Sequence, residues 1–118
     1  DPKQRAENLM IVDLLRNDLS RVADAGSVRV EDAFTVETYP TVHQMVTTVR
    51  ARLAEGAGPM ELVAALFPCG SVTGAPKIRA MELIDAVERD ARGPYCGAIG
   101  RIEADGEGAL HGAIRTLR

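Results

Sequence analysis

Apolar residues recur with two different periods along this chain of 118 residues, and the mixture predicts an α+β fold. Stretches with apolar residues at helical spacing open on Pro. Other stretches alternate and are rich in β-branched residues. At the C-terminal end, YCGAIGRIEADGEGALHGAIRTLR sets Asp105-Gly106 between two short apolar runs, which predicts a β-hairpin.

Each element follows from local signals. Asp1 and Pro2 suit the N-cap and first turn of a helix running to about Val22, with Gly26 just beyond. Its apolar residues include Ala6, Leu9, Met10, Ile11, Leu14 and Leu15. Next, SVRVEDAFTVETYP alternates well enough for one or two short strands ended by Pro40. The segment Val42 to Leu53 is open between two states. Val42, Met45, Val46, Val49 and Leu53 fit a helical stripe, yet Val42, Val46, Thr47, Thr48 and Val49 are β-branched. AEGAGP is a loop, and MELVAALF is a short helix closed by Pro68. After PCGSVTGA, Pro76 is placed at the first position of a further helix, KIRAMELIDAVERD, with an apolar line of Ile78, Met81, Ile84 and Val87. The final hairpin returns Arg115 to within a few residues of Tyr95 and ends in an apparent strand, IRTLR.

The length suits a single small domain, and folding at that size buries roughly two-thirds of the unfolded surface. A chain that opens inside a helix and stops in a strand is expected to be a piece of something larger. Apolar residues make up 46% and the only aromatics are Phe34, Tyr39, Phe67 and Tyr95, so the expected core is aliphatic. A net charge of −3, with no basic stripe, argues against an electrostatically driven nucleic-acid binder. No apolar run approaches the ~18–20 residues of a membrane helix. Cys69 and Cys96 lack metal-ligand spacing and no signal peptide is visible, so reduced thiols in a cytoplasmic protein are expected.

Four features have chemical potential. Glu7 lies at offsets of three, four and seven from Met10, Ile11 and Leu14, within the apolar stripe. An inward carboxylate is costly unless it is paired or ligates a metal, so a salt bridge, a wet helix edge and a metal site all remain open. The loop from Gly70 to Lys77 superficially resembles a phosphate-binding P-loop, but Ala75, Pro76 and Lys77 stand where that motif needs Gly-Lys-Ser/Thr. Free amides and the Ser71 and Thr73 hydroxyls could still hold an anion there, or simply cap a helix. Tyr95 and Arg115 brought together would make a carboxylate clamp, or else a core-edge Tyr beside a surface Arg. His43 and Gln44 are neighbours and face opposite ways if their segment is a strand. His111 is expected to be an exposed hairpin residue, and Asp13, Arg16, Asn17 and Asp18 to organise the end of the first helix.

Taken in order, RAENLMIVDLLRNDLSRV, VETYPTVHQMVTTV, FPCGSVTGAPKIRAMELID, RGPYCGAIG and AIRTL resemble the chorismate-utilising enzymes. The block SVTGAPKIRAMELID is the most specific part of the match. The resemblance implies a truncated portion of a larger catalytic domain, an α/β sandwich with a mixed antiparallel sheet and packed helices. It also favours the strand state for Val42 to Leu53. It implies a carboxylate ligand to Mg²⁺ at Glu7, chorismate-carboxylate contacts at Tyr95 and Arg115, a pocket hydroxyl at Ser71 and the motif glycine at Gly74. In such enzymes Mg²⁺ neutralises a chorismate carboxylate while a nucleophile displaces the ring hydroxyl.

The branch is implied by Gln44, which stands where the anthranilate and salicylate enzymes carry a histidine implicated in pyruvate elimination. Gln cannot transfer a proton as imidazole can. With YPTVHQM and LLRNDL, this is most similar to the aminodeoxychorismate synthase branch, which aminates chorismate with ammonia from a glutamine amidotransferase. Anthranilate synthase component I is the alternative within the family, and a non-catalytic binding domain the alternative outside it. Gln4 stands where many relatives carry an acid, and Cys69 where Gly or Ala is usual. The resemblance places the lysine nucleophile and the general acid upstream of this chain. It places the glycine-rich substrate loop and a second Mg²⁺-ligating Glu downstream. The chain alone is therefore expected to be inactive and prone to self-association through open sheet edges.

Overall fold

The computed structural model describes residues 1–115, in which helices and antiparallel strand pairs alternate in the α+β manner expected. Contacts group the chain into two compact units, Asp1–Ala57 and the residues from Gly58 onward.

The first unit opens with helix α1, Pro2–Ser20, whose N-cap Asp1 accepts a hydrogen bond from the Lys3 N–H at 3.0 Å. It stops two residues before the expected Val22. The Arg21 and Val22 amides turn back to the Asp18 and Leu19 carbonyls at 3.3 and 3.1 Å, and Gly26 (φ 75°) serves a later turn. The covered stripe of α1 runs through Asn8, Val12, Leu15 and Leu19, a spacing of four, three and four. This stripe lies about 100° round the helix from the expected one. Met10 and Ile11 are exposed, and so is Glu7. The inward-facing carboxylate anticipated from periodicity is therefore not formed.

Asn8 is tolerated on the covered side because it is paired. The Thr47 hydroxyl donates to its Oδ1 at 2.7 Å and in turn accepts the Phe34 N–H at 3.0 Å. This chain of bonds ties α1 to strands β1, Arg29–Thr38, and β2, His43–Arg50, against which the helix packs. The strand state thus holds for the ambiguous segment. Pairing runs antiparallel from Arg29 opposite Arg50 to Thr38 opposite His43, with a bulge between Glu31 and Thr35. Within the bulge Asp32 and Phe34 adopt left-handed φ angles of 47° and 59°, uncommon for residues with a Cβ. Phe34 is held by Thr47 and by the Arg5 guanidinium, 4.7 Å from its ring centroid.

In the second unit, helix α2 spans Pro59–Leu66, and the Gly58 N–H donates to Glu61 Oε2 at 2.9 Å. A single 3₁₀ turn, Gly70–Val72, precedes helix α3, Lys77–Val87. Pro76 is the N-cap of α3, one place earlier than expected, and the helix ends at Val87 because Glu88 takes an extended conformation. Strands β3, Ala98–Ile102, and β4, Gly108–Gly112, form the expected hairpin around Asp105-Gly106, with Gly106 at φ 91°. Ile114 and Arg115 lie outside any strand, and the rest of the expected IRTLR strand falls outside the described residues.

The expected aliphatic core is thin. Among the described residues Val12, Leu19, Ala65 and Ala113 are the buried apolar side chains, whereas Val36, Ile78, Val87, Ile99 and Leu110 are exposed. Two separate compact units sharing the chain's mass would together expose about 7,500 Å². The chain exposes 9169 Å².

Candidate functional site

In the second unit the β3–β4 ladder continues past its strands and draws two chain segments together. The Cys96 N–H donates to the Ala113 carbonyl and the Ala113 N–H to the Gly97 carbonyl, both at 2.9 Å. Tyr95 therefore stands beside the exit of β4, where Arg115 follows. Cys96 and Arg115 take left-handed φ angles of 64° and 51°, so strain gathers at this junction. An open cavity of about 620 Å³ is lined here by Ser71, Glu88, Arg92, Tyr95, Cys96 and Arg115. The hairpin thus brings the expected clamp pair, Tyr95 and Arg115, to one cavity, and Ser71 reaches it from the loop before α3. The residues lining this one wall carry a guanidinium, a phenol and a hydroxyl, the kinds of donor a carboxylate takes. Gly74 is not on that wall. Its φ of 154° and the Ala80 methyl, 3.1 Å from where a Cβ would sit, give it a role in the turn before α3.

Two lining residues were not singled out from the sequence. Arg92 donates from Nε to Glu88 Oε2 at 2.7 Å and from a terminal nitrogen to Oε1 at 2.5 Å. This bidentate grip holds the Glu88 carboxyl below the ordinary range and raises the Arg92 guanidinium. The legible signal is the Glu88-to-Arg92 spacing of four in ERDAR.

In the first unit the remaining candidates are exposed. Glu7 has Lys3 Nζ at 3.9 Å, and Arg16 pairs with Asp13 at 3.3 Å. His43 Nδ1 lies 3.1 Å from the Thr38 hydroxyl, and the Gln44 amide donates to the Met45 carbonyl at 3.2 Å. Adjacent on β2, His43 and Gln44 point to opposite faces, as expected of a strand. His111 is exposed on β4 opposite Ile99, and Cys69 and Cys96 are free thiols. No group of three or more His, Cys, Asp or Glu side chains is placed to hold a metal among the described residues. One exposed carboxylate still suits Mg²⁺ as a single ligand of a set, since such sites use one or two carboxylates. No helix among the described residues is long and apolar enough to cross a membrane.

Residues 1–118 match the model of the chorismate binding enzyme family. The chain belongs to that family. It is 54% identical over 116 residues to aminodeoxychorismate synthase component 1 of Klebsiella aerogenes, covering 98% of this chain and 26% of the relative. It is 50% identical over 117 residues to an anthranilate synthase component 1 of Haloarcula marismortui, covering 99% of this chain and 24% of that one. The crystal structure of anthranilate synthase component I from Streptococcus pneumoniae TIGR4 superposes with a TM-score of 0.88 at 43% identity, covering 98% of this chain and 26% of that structure. The chain thus spans about a quarter of the length of these relatives.

Proposed function

We propose that this chain supplies part of the chorismate site of an aminodeoxychorismate synthase component I, which aminates chorismate to 4-amino-4-deoxychorismate. The observation that carries this reading is the shared cavity of Ser71, Tyr95 and Arg115 in a chorismate-binding chain. Arg115 and Tyr95 hold a carboxylate of the substrate, and the Ser71 hydroxyl donates to it from the facing loop. Glu7 serves as one carboxylate ligand to Mg²⁺, which when bound supplies positive charge for a substrate carboxylate. Gln44 offers no group able to carry a proton at neutral pH, consistent with a product that retains its enolpyruvyl ether. Ammonia comes from a glutamine amidotransferase partner, in keeping with the "component 1" in the Klebsiella relative's name. On this reading the chain has no turnover by itself.

The full-length protein bearing this chain, given chorismate, ammonia and Mg²⁺, is expected to form 4-amino-4-deoxychorismate without pyruvate. Pyruvate released without an added lyase overturns the branch. That result would favour anthranilate synthase, the second reading, which the 50% identity to the Haloarcula relative supports.

A further inference from the structure

Tyr95 is half exposed, so side-chain packing does little to fix it, and its position depends on the turn that carries it. That turn, Gly93 to Gly97, is stiff. Gly93 has a φ of 61°, Pro94 follows, and the Gly97 N–H donates to the Pro94 carbonyl at 2.9 Å. A Cβ on Gly97 would lie 2.8 Å from that same carbonyl oxygen, so the approach needs glycine. A stiff turn still needs an anchor to aim it, and no helix or strand reaches from Glu88 to Gly97.

Arg92 is that anchor. Its guanidinium engages both oxygens of Glu88, the C-cap of α3, at 2.7 and 2.5 Å. It lines the same cavity wall as Cys96, on the far side of Tyr95. The Glu88–Arg92 side chains are 40% and 30% exposed, whereas each other described ion pair has a partner at least 67% exposed. A carboxylate at a helix C-terminus opposes the helix dipole, so capping gives no reason for Glu88 to stand there. Holding Arg92 does.

We propose that Arg92, gripped by Glu88, is a positioning residue that fixes the Tyr95 turn and so aims the Tyr95–Arg115 clamp at its carboxylate. This rests on the proposed role of that clamp. Glu88 engages two of the five N–H donors of Arg92, so direct substrate contact is the rival role that the variants below separate.

The test uses the full-length protein, with KM for chorismate, kcat and melting temperature read for each variant. Arg92→Gln and Glu88→Gln are both expected to raise KM about tenfold and change kcat less than threefold. The double exchange Glu88→Arg with Arg92→Glu is expected to recover most of the loss, since it rebuilds the pair with its charges reversed. A direct anion-binding Arg92 behaves differently: Glu88→Gln would free it and leave KM unchanged or lower, which overturns the proposal. A KM unmoved by Arg92→Gln overturns it too. Tyr95→Phe and Arg115→Gln separate the two levels. If they raise KM while Glu88→Gln and Arg92→Gln do not, only the positioning role fails. If all four leave KM unchanged, the clamp itself fails and the positioning role with it. Should Arg92→Gln not fold, Glu88→Gln and the double exchange decide.

Discussion

Glu7 shows how a side chain can be decisive for chemistry and nearly irrelevant to folding. Exposed on α1, with Lys3 3.9 Å away, it belongs to the class of surface pairs worth about 0–1 kcal/mol. Glu7→Gln is therefore expected to shift the melting temperature of the chain by no more than about 2–4 °C. In the full-length protein the same change should abolish Mg²⁺-dependent turnover. A Mg²⁺ titration showing unchanged dependence would return Glu7 to an ordinary surface role. Glu61 behaves in the opposite sense. Its carboxylate accepts backbone N–H bonds at the start of α2, which hold its pKa below the ordinary value of 4.5. A depressed folded pKa contributes stability that is complete above the unfolded value and fades as pH falls through the folded one. The advantage over Glu61→Gln should thus be constant above about pH 5 and shrink in more acid buffers. Equal stability curves at every pH in urea titrations would show that the cap contributes nothing.

At the level of elements, the sequence was most informative where a local signal was strong. Asp105-Gly106 marks the β3–β4 turn, Pro76 marks the start of α3, and β-branched Val46 to Val49 outweigh a competing helical stripe. Pro59, expected in the loop, is instead the first residue of α2, which ends at Leu66 rather than Phe67. The covered face of α1 was not legible, because a polar residue, Asn8, occupies it. Its pairing depends on Thr47, 39 positions away, and on a bulge that no local pattern announces. Thr47→Val keeps the shape but leaves the part-buried Phe34 N–H without its acceptor. It should destabilise the first unit by about 1–3 kcal/mol. Loss below about 0.5 kcal/mol in urea unfolding would mean the bulge is held by other contacts. Gly100 offers a parallel case in β3. A Cβ there would lie 2.0 Å from the Ala109 carbonyl oxygen, so Gly100→Ala should force the hairpin apart. A penalty of about 3 kcal/mol is expected, with loss of amide-exchange protection in β3 and β4. The candidate site followed the same rule. That Tyr95 and Arg115 share one wall was legible through the hairpin, whereas Glu88 and Arg92 join that wall through the irregular segment after α3, which no periodic pattern marks.

Over the whole molecule, the sequence promised more burial than the structure delivers. A composition with 46% apolar residues is ordinary, but composition does not say which side chains find partners. Val36, Ile78, Val87, Ile99 and Leu110 do not, and the accessible surface of 9169 Å² exceeds what even two independent compact units of this mass would show. Two consequences can be measured on the chain alone. The denaturant slope m scales with the surface newly exposed on unfolding. Against the usual burial for this mass, m in urea should be about three-quarters of the normal value. Apolar side chains beside the open edges of two-stranded sheets should also drive association between copies, through strand pairing and shared apolar contacts. Sedimentation is then expected to show a weight-average mass that rises with concentration, together with dye binding typical of exposed apolar surface. Lysine substitutions at Ile99 and Leu110 should reduce both effects. A monomer with a full-sized m at high concentration would mean that these side chains are covered in solution.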